Sequence, residues 1–556
     1  MTSFAVLAEV LDRVAATTKR KEKMELAGEF LRKLDTDEIS QAALFLSGRI
    51  FAESDQRVLN ISWRGLIDAL RSVFELKHDS ISKVYEGDVG EAVAKLMNEF
   101  EHTRQTSLFS EPLTIKTVEE VALKIAEVKG KGSMRERQSL LTSLYVESTP
   151  REAKYLTALF LGDMRTGLSE GLLAESIAFA FKIDSDLVRR AWSFCGDLGL
   201  VAKLASESGS KSLKEVRVEV MRAIKPMLAS PTDSVESVFE TNPDLSFEMK
   251  LDGARVQIHK DGEKVRIFSR RLLNVTESLP DIVKIVKEKI HSRNAIFDGE
   301  VLAVDRSGKP YPFQVVMTRF GRSRDIDTAY RDTKLKLILF DILLLDDVPL
   351  VDEEYSRRRK LLETTVPLEL IIERIVTKDV KIVEEYFRKS QELGHEGLVA
   401  KTVDSQYTPG TRGKLWLKIK HTLDTMDLVI IAAEWGHGRR SKWLSDYHLA
   451  VRDEDTDEFV MIGKTYKGLT DKEFEKMTID LQKLEISSSR NVVHVKPEIV
   501  VEVVSAEIQE SPTYNSGLAL RFARISRIRE DKGPMDVMTL NELREIYEKQ
   551  FRFKAR

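Results

Sequence analysis

The sequence has a single cysteine, Cys195, among its 556 residues. One thiol cannot form an intrachain disulfide or supply a cysteine-rich zinc module, so both kinds of stabilisation are excluded. The chain also lacks any apolar run of the roughly 20 residues that a membrane-spanning helix needs. Its first residues follow an amphipathic pattern that includes Glu9 and Asp12, so we expect no signal peptide and no membrane anchor. These absences favour a protein of the reducing cytoplasm.

An excess of charge of either sign is also missing, because 87 basic residues face 90 acidic ones and leave a net charge of −3. A polyanionic partner would therefore have to be bound by local basic surfaces rather than by the overall charge. The hydrophobic fraction of 42% excludes wholesale disorder, and the length predicts three or four domains.

The hydrophobic residues before position 224 recur with helical spacing, as at Leu26, Phe30 and Leu34, and predict an all-helical domain. Capping boxes mark several of the predicted helix starts: Thr117 with Glu120, Ser133 with Glu136, and Thr149 with Glu152.

Two glycine-bearing turns, residues 129–133 and 162–167, could bring backbone amides and a cation close to phosphates. The second turn makes Arg165 and Thr166 candidate DNA contacts. Ordinary interhelical turns are the alternative for both segments.

A short peptide between helical segments contains Gln105, Leu108 and Phe109. A glutamine followed by an aliphatic and an aromatic anchor resembles the peptide by which replication enzymes bind the ring-shaped sliding clamp. The match is shortened, since the usual second aromatic residue is missing.

Strand patterns dominate after the segment 225–231, and the most informative strand contains Lys250. Alternation places Glu248, Lys250 and Asp252 on one polar face, and the following Asp-Gly pair predicts a tight hairpin turn into a second strand that begins near Arg255. A lysine amine becomes a nucleophile when its surroundings depress its pKa. The alternative is an exposed strand lysine that pairs with Glu248.

Further strands carry polar residues that need partners. Arg270 follows the strand after this turn, and Glu300 and Asp298 interrupt the apolar strand 296–304. Carboxylates embedded in an apolar strand demand a partner, which a magnesium ion or a ribose hydroxyl could provide. Phe340 lies in the apolar run 335–345, where a core position competes with a base-stacking role.

The strand 415–420 alternates so that Trp416, Lys418 and Lys420 share one face. Two lysines on one strand face repel each other unless an anion lies over them, and a phosphate is the obvious candidate. Just upstream, Glu396 begins a further strand that ends at Lys401.

These segments occur in a fixed order: K-L-D-G-x-R at Lys250, S-R-R at Ser269, D-G-E at Asp298, the run around Phe340, E-G-L-V-A-K at Glu396 and W-L-K-I-K at Trp416. The series resembles the motifs of the covalent nucleotidyltransferases. With the helical region in front, the whole chain resembles ATP-dependent DNA ligases of the archaeal and eukaryotic replicative type.

The resemblance implies a multidomain fold: an all-α DNA-binding domain (1–224), an α+β adenylation domain with antiparallel sheets (225–423), and a C-terminal β-barrel OB-fold domain with a final helix (424–556). A glycine-broken basic loop in the last domain contains Arg439 and Arg440, which suits contact with a nucleic-acid backbone. We predict that the final helix is capped by Thr539 and Glu542.

The resemblance also implies the chemistry. Such enzymes seal nicks in duplex DNA during replication, repair and recombination, by way of a lysyl-AMP formed from ATP with Mg²⁺. Lys250 would be the nucleophile, and its pKa should be lowered by the surrounding cations. The other implied roles are nucleotide binding by Glu248, Arg255, Arg270, Glu300, Phe340, Arg412, Lys418 and Lys420, and metal binding by Glu300 and Glu396. A sliding clamp is the implied protein partner of a monomeric, cytoplasmic, nucleoid-associated enzyme.

Other readings compete with this one. A capping guanylyltransferase shares the later domains, an RNA ligase would carry different flanks, and an NAD-dependent ligase carries a four-cysteine zinc module that one cysteine cannot form. A catalytically inactive clamp-binding scaffold is the alternative from a different functional class.

Overall fold

The structure is a computed structural model that describes residues 1–74, 84, 88–100, 112–232, 234–240, 244–320, 334–420, 425–436, 440–489, 491–550 and 553–555. The clamp-like peptide with Gln105, Leu108 and Phe109 lies outside the described residues. Arg439 of the predicted basic loop lies outside them as well.

The N-terminal part is helical, as predicted. Its helices are α1 Phe4–Ala16, α2 Arg20–Arg32, α3 Thr36–Leu46, α4 Trp63–Val73, α5 Val89–Glu99, α6 Ile115–Glu127, α7 Ser133–Glu147, α8 Pro150–Leu161, α9 Glu170–Phe181, α10 Ser185–Cys195, α11 Leu198–Ser208 and α12 Ser210–Glu215. One continuous apolar core joins them, with side chains such as Phe4, Phe45 and Leu156 almost fully buried. The burial of helical faces against one another stabilises the helices more than their own propensities do.

The predicted helix caps are partly right. Thr149 forms its capping box with Glu152, and proline occupies the first helical position. The predictions at Thr117 and Ser133 are wrong, because α6 is capped by Thr114 and α7 begins after Gly132, which has a left-handed φ of 90°. Glycine adopts this backbone conformation at little cost. Because glycine has no side chain, α7 starts without a side-chain cap.

The described residues of the central part form two five-stranded sheets. Sheet A has the order β1 Leu228–Pro231, β10 Arg412–Lys420, β9 Gly397–Thr402, β2 Leu245–Lys250 and β8 Arg374–Val376. Sheet B has the order β4 Lys264–Ser269, β3 Ala254–Asp261, β5 Asn294–Val304, β6 Lys334–Leu345 and β7 Val348–Pro349. The accompanying α-helices are α13 Val235–Phe239, α14 Pro280–Lys289, α15 Phe313–Met317, α16 Tyr355–Thr365 and α17 Val380–Glu392, with 3-10 turns at Thr276–Ser278 and Leu368–Leu370.

The predicted hairpin after Lys250 is wrong. The strand β2 pairs with β8 and β9 of sheet A, whereas β3 pairs with β4 and β5 of sheet B. The Asp-Gly turn thus passes the chain from one sheet to the other. A Cβ atom at Gly253 would lie 2.5 Å from the carbonyl oxygen of Val301, so only glycine fits this close approach to β5. The crossing places Lys250 at the junction of the two sheets.

The C-terminal part is rich in strands, in keeping with the expected OB-fold. Its elements are β11 Met426–Trp435, β12 Leu444–Arg452, β13 Phe459–Thr465, α18 Asp471–Lys483, β14 Glu485–Ser489, β15 Val492–Val495, β16 Val500–Val504, β17 Glu507–Glu510, β18 Leu518–Arg521, β19 Arg524–Ile528, a 3-10 turn Pro534–Asp536 and α19 Leu540–Gln550. Thr539 and Glu542 exchange the two hydrogen bonds of a capping box at the start of α19, as predicted. None of the helices among the described residues has the length and apolar character to span a membrane.

Gly397 supplies a test of this architecture. Its φ is +137°, and a Cβ atom there would lie 2.1 Å from the carbonyl oxygen of Ile419 on β10. We expect Gly397→Ala to cost about 1–3 kcal/mol in backbone strain alone and to lower the thermal unfolding midpoint by circular dichroism. Gly413→Ala on β10, where a Cβ atom would meet open space, is the matched control and should melt like the wild type. Equal midpoints for the two variants would contradict the described register of β9 and β10.

Candidate active site

Two lysines and one glutamate meet where β2, β9 and β10 lie side by side. Lys250 and Lys420 both pair with Gly397 of the middle strand, one from each side. The preceding residue, Glu396, donates its backbone N–H to the carbonyl of Lys250 at 2.8 Å. The Nζ atom of Lys250 lies 2.8 Å from Oε2 of Glu396, and Nζ of Lys420 contacts the same oxygen. Sheet pairing therefore brings together three groups that are far apart in sequence.

This cluster keeps Glu396 ionised. Burial alone would raise the pKa of its carboxyl, but Lys250 and Lys420 lower that pKa to about 2. The Lys250 side chain is 23% exposed, so its amine is shielded without being sealed from solvent.

Glu300 approaches from sheet B and has the opposite behaviour. Burial raises the pKa of its carboxyl to about 8, opposed by Lys250 and Arg255 and reinforced by Glu396 and Asp298. Burial thus favours a proton on Glu300, whereas the two lysines favour the ionised form of Glu396. Carboxyl groups with diverging pKa values are typical of sites that bind a cation or polar ligand.

Arg255 lies in the site but already has partners. Its guanidinium forms a bidentate ion pair with Asp298, at 3.0 and 2.6 Å, and donates to the carbonyl of Met227 at 2.7 Å. Tyr407 also donates to Asp298 at 2.7 Å. Arg255 therefore links β3 to β5 and to the segment before β1. If Arg255 contacts a nucleotide, as predicted, it has to do so with a guanidinium that already bonds to Asp298 and Met227. We expected Asp298 to bind a magnesium ion or a ribose hydroxyl, but its carboxylate is paired with Arg255 instead.

Glu248 is buried in a second charged network behind Lys250, with only 3% of its surface exposed. Lys401 lies 2.7 Å from its carboxylate, and the Tyr355 hydroxyl donates to it at 2.5 Å. Burial, followed by the Glu248 charge, raises the pKa of Tyr355 well above its usual value. Lys401 and Tyr355 were not among the predicted site residues, although both contact Glu248. Lys401 carried a signal, because a lysine inside an apolar strand needs a buried acid; Tyr355 carried none.

Phe340 is half-buried between this network and Arg255. The Lys401 ammonium lies 4.7 Å and the Arg255 guanidinium 5.4 Å from the centre of its ring, and Trp416 meets it edge-on at 6.3 Å. These contacts fix the ring orientation. The position suits an aromatic wall of a pocket, although the same ring also contributes to two hydrophobic clusters.

The remaining predicted cations surround the site. Burial lowers the pKa of Arg270, and the charges of Arg255 and Arg412 lower it further, so these three arginines face a common space. Burial and then Lys420, Lys250, Arg412 and Arg270 lower the pKa of Lys418 to about 8. Cations that crowd in this way need an anion to relieve their repulsion. The structure thus brings the predicted nucleotide-site residues of both sheets to one place.

A further lysine comes from the end of the chain. Nζ of Lys554 lies 2.5 Å from Oδ2 of Asp252, next to the turn that carries Lys250. The C-terminal tail therefore reaches the central site, a contact for which the sequence carries no signal.

Three protein-family descriptions match consecutive parts of the chain. The family described as "DNA ligase N terminus" matches residues 3–178, "ATP dependent DNA ligase domain" matches residues 226–420, and "ATP dependent DNA ligase C terminal region" matches residues 440–532. The chain belongs to the ATP-dependent DNA ligases.

Full-length relatives agree with this assignment. A DNA ligase of Thermococcus onnurineus (strain NA1) is 41% identical over 560 residues, which cover 100% of this chain and 99% of the relative. DNA ligase 1 of Korarchaeum cryptofilum (strain OPF8) is 42% identical, with 98% of each chain covered. The solved structure Pmar-Lig_PreS3 superposes with a TM-score of 0.57 at 17% identity, covers 94% of this chain and 99% of its own, and supports the fold.

ATP-dependent DNA ligases seal nicks through an adenylate, typically in replication and repair, and use ATP with a covalent AMP intermediate and a divalent metal ion, typically Mg²⁺. The donor set of this ligase fits that ion. Magnesium is usually bound by one or two carboxylates together with phosphates and water, and Glu300 and Glu396 face the same space. Within the described ranges no group of three metal-ligating acids, histidines or cysteines occurs, so these two carboxylates would leave the other positions to substrate phosphates and water.

The DNA-contact residues predicted for the ligase have mixed placements. Arg165 is exposed, has a φ of +50° and pairs with Asp163 at 2.7 Å. Thr166 is buried; its hydroxyl accepts from the N–H of Leu168, and its carbonyl accepts from the ammonium of Lys23 at 2.5 Å. The Thr166 side chain therefore holds the turn together and does not face outward. Arg440 is half-buried, with its guanidinium 4.3 Å from the centre of the Phe474 ring.

The pKa of Lys418 predicts how the ligase responds to pH. Above about pH 8 the Lys418 ammonium loses its charge, so kcat/KM for ATP in protein adenylylation should fall there, because kcat/KM reports the free enzyme. Lys418→Arg keeps its charge at higher pH, and the falling limb of the profile should move up by at least about one pH unit. Lys414→Arg, at an exposed position on the same strand, is the control and should leave the profile unchanged. A falling limb that stays near pH 8 in Lys418→Arg would exclude Lys418 as its origin.

Proposed function

We propose that Lys250 is the nucleophile of this ligase and that three nucleotidyl transfers take place at the described site. The observation that carries the proposal is the convergence of Lys250, Lys420 and Glu396 beside Lys418 and Glu300. In the first transfer the Lys250 amine attacks the α-phosphorus of ATP, a P–N bond forms, and pyrophosphate leaves. In the second, an oxygen of the 5′-phosphate at a nick attacks the α-phosphorus, a P–O–P bond forms, and the P–N bond breaks to release the Lys250 amine. In the third, the 3′-hydroxyl attacks that phosphate and AMP leaves.

Each transfer is a displacement at phosphorus, which needs positioning and charge neutralisation more than acid–base work. The ion pair with Glu396 aims the Lys250 side chain at the space between the sheets, and the amine must leave that oxygen and lose a proton before it attacks. We assign α-phosphate binding to Lys418 and Lys420. A bound Mg²⁺ ion would neutralise phosphate charge beside Glu300 and Glu396.

The other roles follow from position. We assign the adenine pocket to Glu248 and Phe340, which share Lys401 as a neighbour. We assign Arg270 and Arg412 to the ribose and phosphates, because Arg270 is close enough to Arg412, Arg255 and Glu300 for their charges to shift its pKa. We assign Arg255 a supporting role. Its guanidinium is paired with Asp298, so the carboxyl of Glu300 is left to bind a ligand.

We propose domain limits of 1–224, 225–423 and 424–556, in accord with the change from helices ending at Glu215 to strands beginning at Leu228. Exposed Arg165, together with Arg439 and Arg440, would contact the DNA backbone, with Thr166 shaping the turn beside Arg165. Binding of this kind weakens steeply with salt and has little sequence preference. We further propose a monomeric cytoplasmic enzyme that works at the nucleoid.

The sequence suggests that a ring-shaped sliding clamp recruits the ligase through Gln105, Leu108 and Phe109. We expect Phe109→Ala to remove stimulation of nick sealing by such a clamp and to leave sealing without the clamp unchanged, because an aromatic anchor supplies much of the binding energy of such peptides. Sealing rates with and without the clamp measure this. Stimulation that survives in a Gln105→Ala/Phe109→Ala double variant would end this part of the proposal.

Lys250→Ala is expected to abolish labelling of the protein by ATP that carries ³²P in its α-phosphate, because no amine remains to form the P–N bond. The same variant should still seal a nick whose 5′-phosphate already carries AMP, since the third transfer does not use that amine. Gel autoradiography of protein and of DNA gives both readouts.

Phe340→Ala is the companion variant and should only weaken labelling. GTP and NAD labelled at the same phosphate complete the assay, and preferential labelling by GTP would favour a capping enzyme instead. Protein that remains labelled in Lys250→Ala would refute Lys250 as the nucleophile.

A further inference from the structure

The turn that follows β4 carries Arg270 into the active site. Its backbone is tightly bonded, since the N–H of Leu272 donates to the carbonyl of Ser269 at 2.8 Å and the N–H of Ser269 donates to the carbonyl of Leu273 at 2.8 Å. Leu272 has a φ of +62°, which a residue with a branched side chain adopts only when its surroundings impose it. The surroundings of this turn therefore decide where Arg270 lies.

Those surroundings belong to the helical domain. The side-chain amide of Gln56 donates to the carbonyl of Leu272 at 2.9 Å, and its oxygen accepts from the N–H of Asn274 at 2.6 Å. The same amide group also donates to the carbonyl of Ser54, two residues earlier, at 2.9 Å. One side chain thus satisfies a donor and an acceptor of the turn, as a neighbouring strand would.

The leucine of the turn is anchored in the same place. Leu272 is 2% exposed and packs with Ala223 and Phe268. A Cβ atom at Gly196 would lie 3.4 Å from its side chain, and the carbonyl of Gly196 accepts from the N–H of Ser54 at 3.1 Å. The segment that bears Gln56 and the residue that follows α10 therefore both lie against the tip of the turn.

The register of sheet B connects this turn to the reacting groups. Ser269 pairs with Val256, so Arg270 follows directly beside Arg255. Arg255 in turn pairs with Glu300 on β5. A shift of the turn at Leu272 would consequently move Arg270 relative to Glu300, and misplacement of a charged group by about 1 Å can cost a large part of its effect.

We infer that Gln56 is a positioning residue through which the helical domain holds Arg270 in the nucleotide site. The inference rests on the role proposed above for Arg270. Its consequence is that the domain that binds the duplex also completes the site that transfers AMP. The helical domain then contributes to chemistry as well as to DNA affinity.

A double-mutant cycle tests the inference in the full-length protein. The variants are Gln56→Ala, Arg270→Ala and the combination, with kcat and KM measured separately for protein adenylylation by ATP and for nick sealing. We expect Gln56→Ala to lower the same parameter as Arg270→Ala, by roughly three- to tenfold, the size expected for two partly exposed hydrogen bonds. In the Arg270→Ala background Gln56→Ala should add less than about twofold, because the group it positions is gone.

Two further variants separate positioning from general stabilisation of the domain interface. Gln56→Glu keeps the acceptor for Asn274 but puts a carboxylate oxygen against the carbonyls of Leu272 and Ser54, so its loss should equal or exceed that of Gln56→Ala. Arg190→Ala removes the bidentate ion pair with Asp352, at 2.7 and 2.6 Å, which joins the same two domains away from the turn. It should leave kcat and KM unchanged, and the thermal midpoints of all variants should agree within a few degrees.

If the fold-losses of Gln56→Ala and Arg270→Ala multiply in the double variant, the inference is overturned, because Gln56 then acts independently of Arg270. Equal losses in Gln56→Ala and Arg190→Ala would overturn it as well. If Gln56→Ala is silent while Arg270→Ala is impaired, the assignment of Arg270 stands and the inference falls. If Arg270→Ala is itself silent, both the assignment and the inference fall.

Discussion

One carboxylate oxygen, Oε2 of Glu396, holds Lys250 and Lys420 together at the centre of this ligase. The arrangement follows from strand order, because β9 lies between β2 and β10 and presents Gly397 to both lysines. Two ammonium groups in so small a space would repel each other without this anion. Both ammonium groups are therefore held in place before any ligand arrives, and a cation that binds Glu396 would compete with both lysines for the same oxygen.

Buried ion pairs keep the walls of the site in place. Arg358 and Asp341 are fully buried, and Lys401 and Glu248 nearly so. Such pairs cost desolvation and contribute little net stability compared with apolar residues. Their benefit here is that they fix side-chain orientations, since Lys401 contacts both Glu248 and the Phe340 ring. Side chains that are already oriented need no rearrangement when charge develops in a transition state.

The flanking domains contact the central site at two turns. Lys554, near the C-terminus, pairs with Asp252, two residues after Lys250, and Gln56 of the helical domain holds the backbone at Leu272. A ligase benefits when the domains that flank its central site also help to hold that site in shape. Both contacts are made by polar side chains to groups of the central domain, one to a carboxylate and one to the backbone.

The sequence by itself determined the helical and strand-rich parts, the strand that carries Lys250, and the membership of Glu300, Glu396 and Lys420 in one site. The alternation of polar and apolar residues indicates which side chains share a strand face, and the order of the motifs indicates that they belong to one site. Only the tertiary structure decided that the Asp-Gly turn crosses between two sheets, that the guanidinium of Arg255 is committed to Asp298, and that Thr166 points inward. It also decided that Gln56 contacts the turn at Leu272 and that Lys554 pairs with Asp252. The physical reason is that the partner of each group lies on a segment distant in sequence, and local periodicity carries no information about which distant segment will pack opposite it.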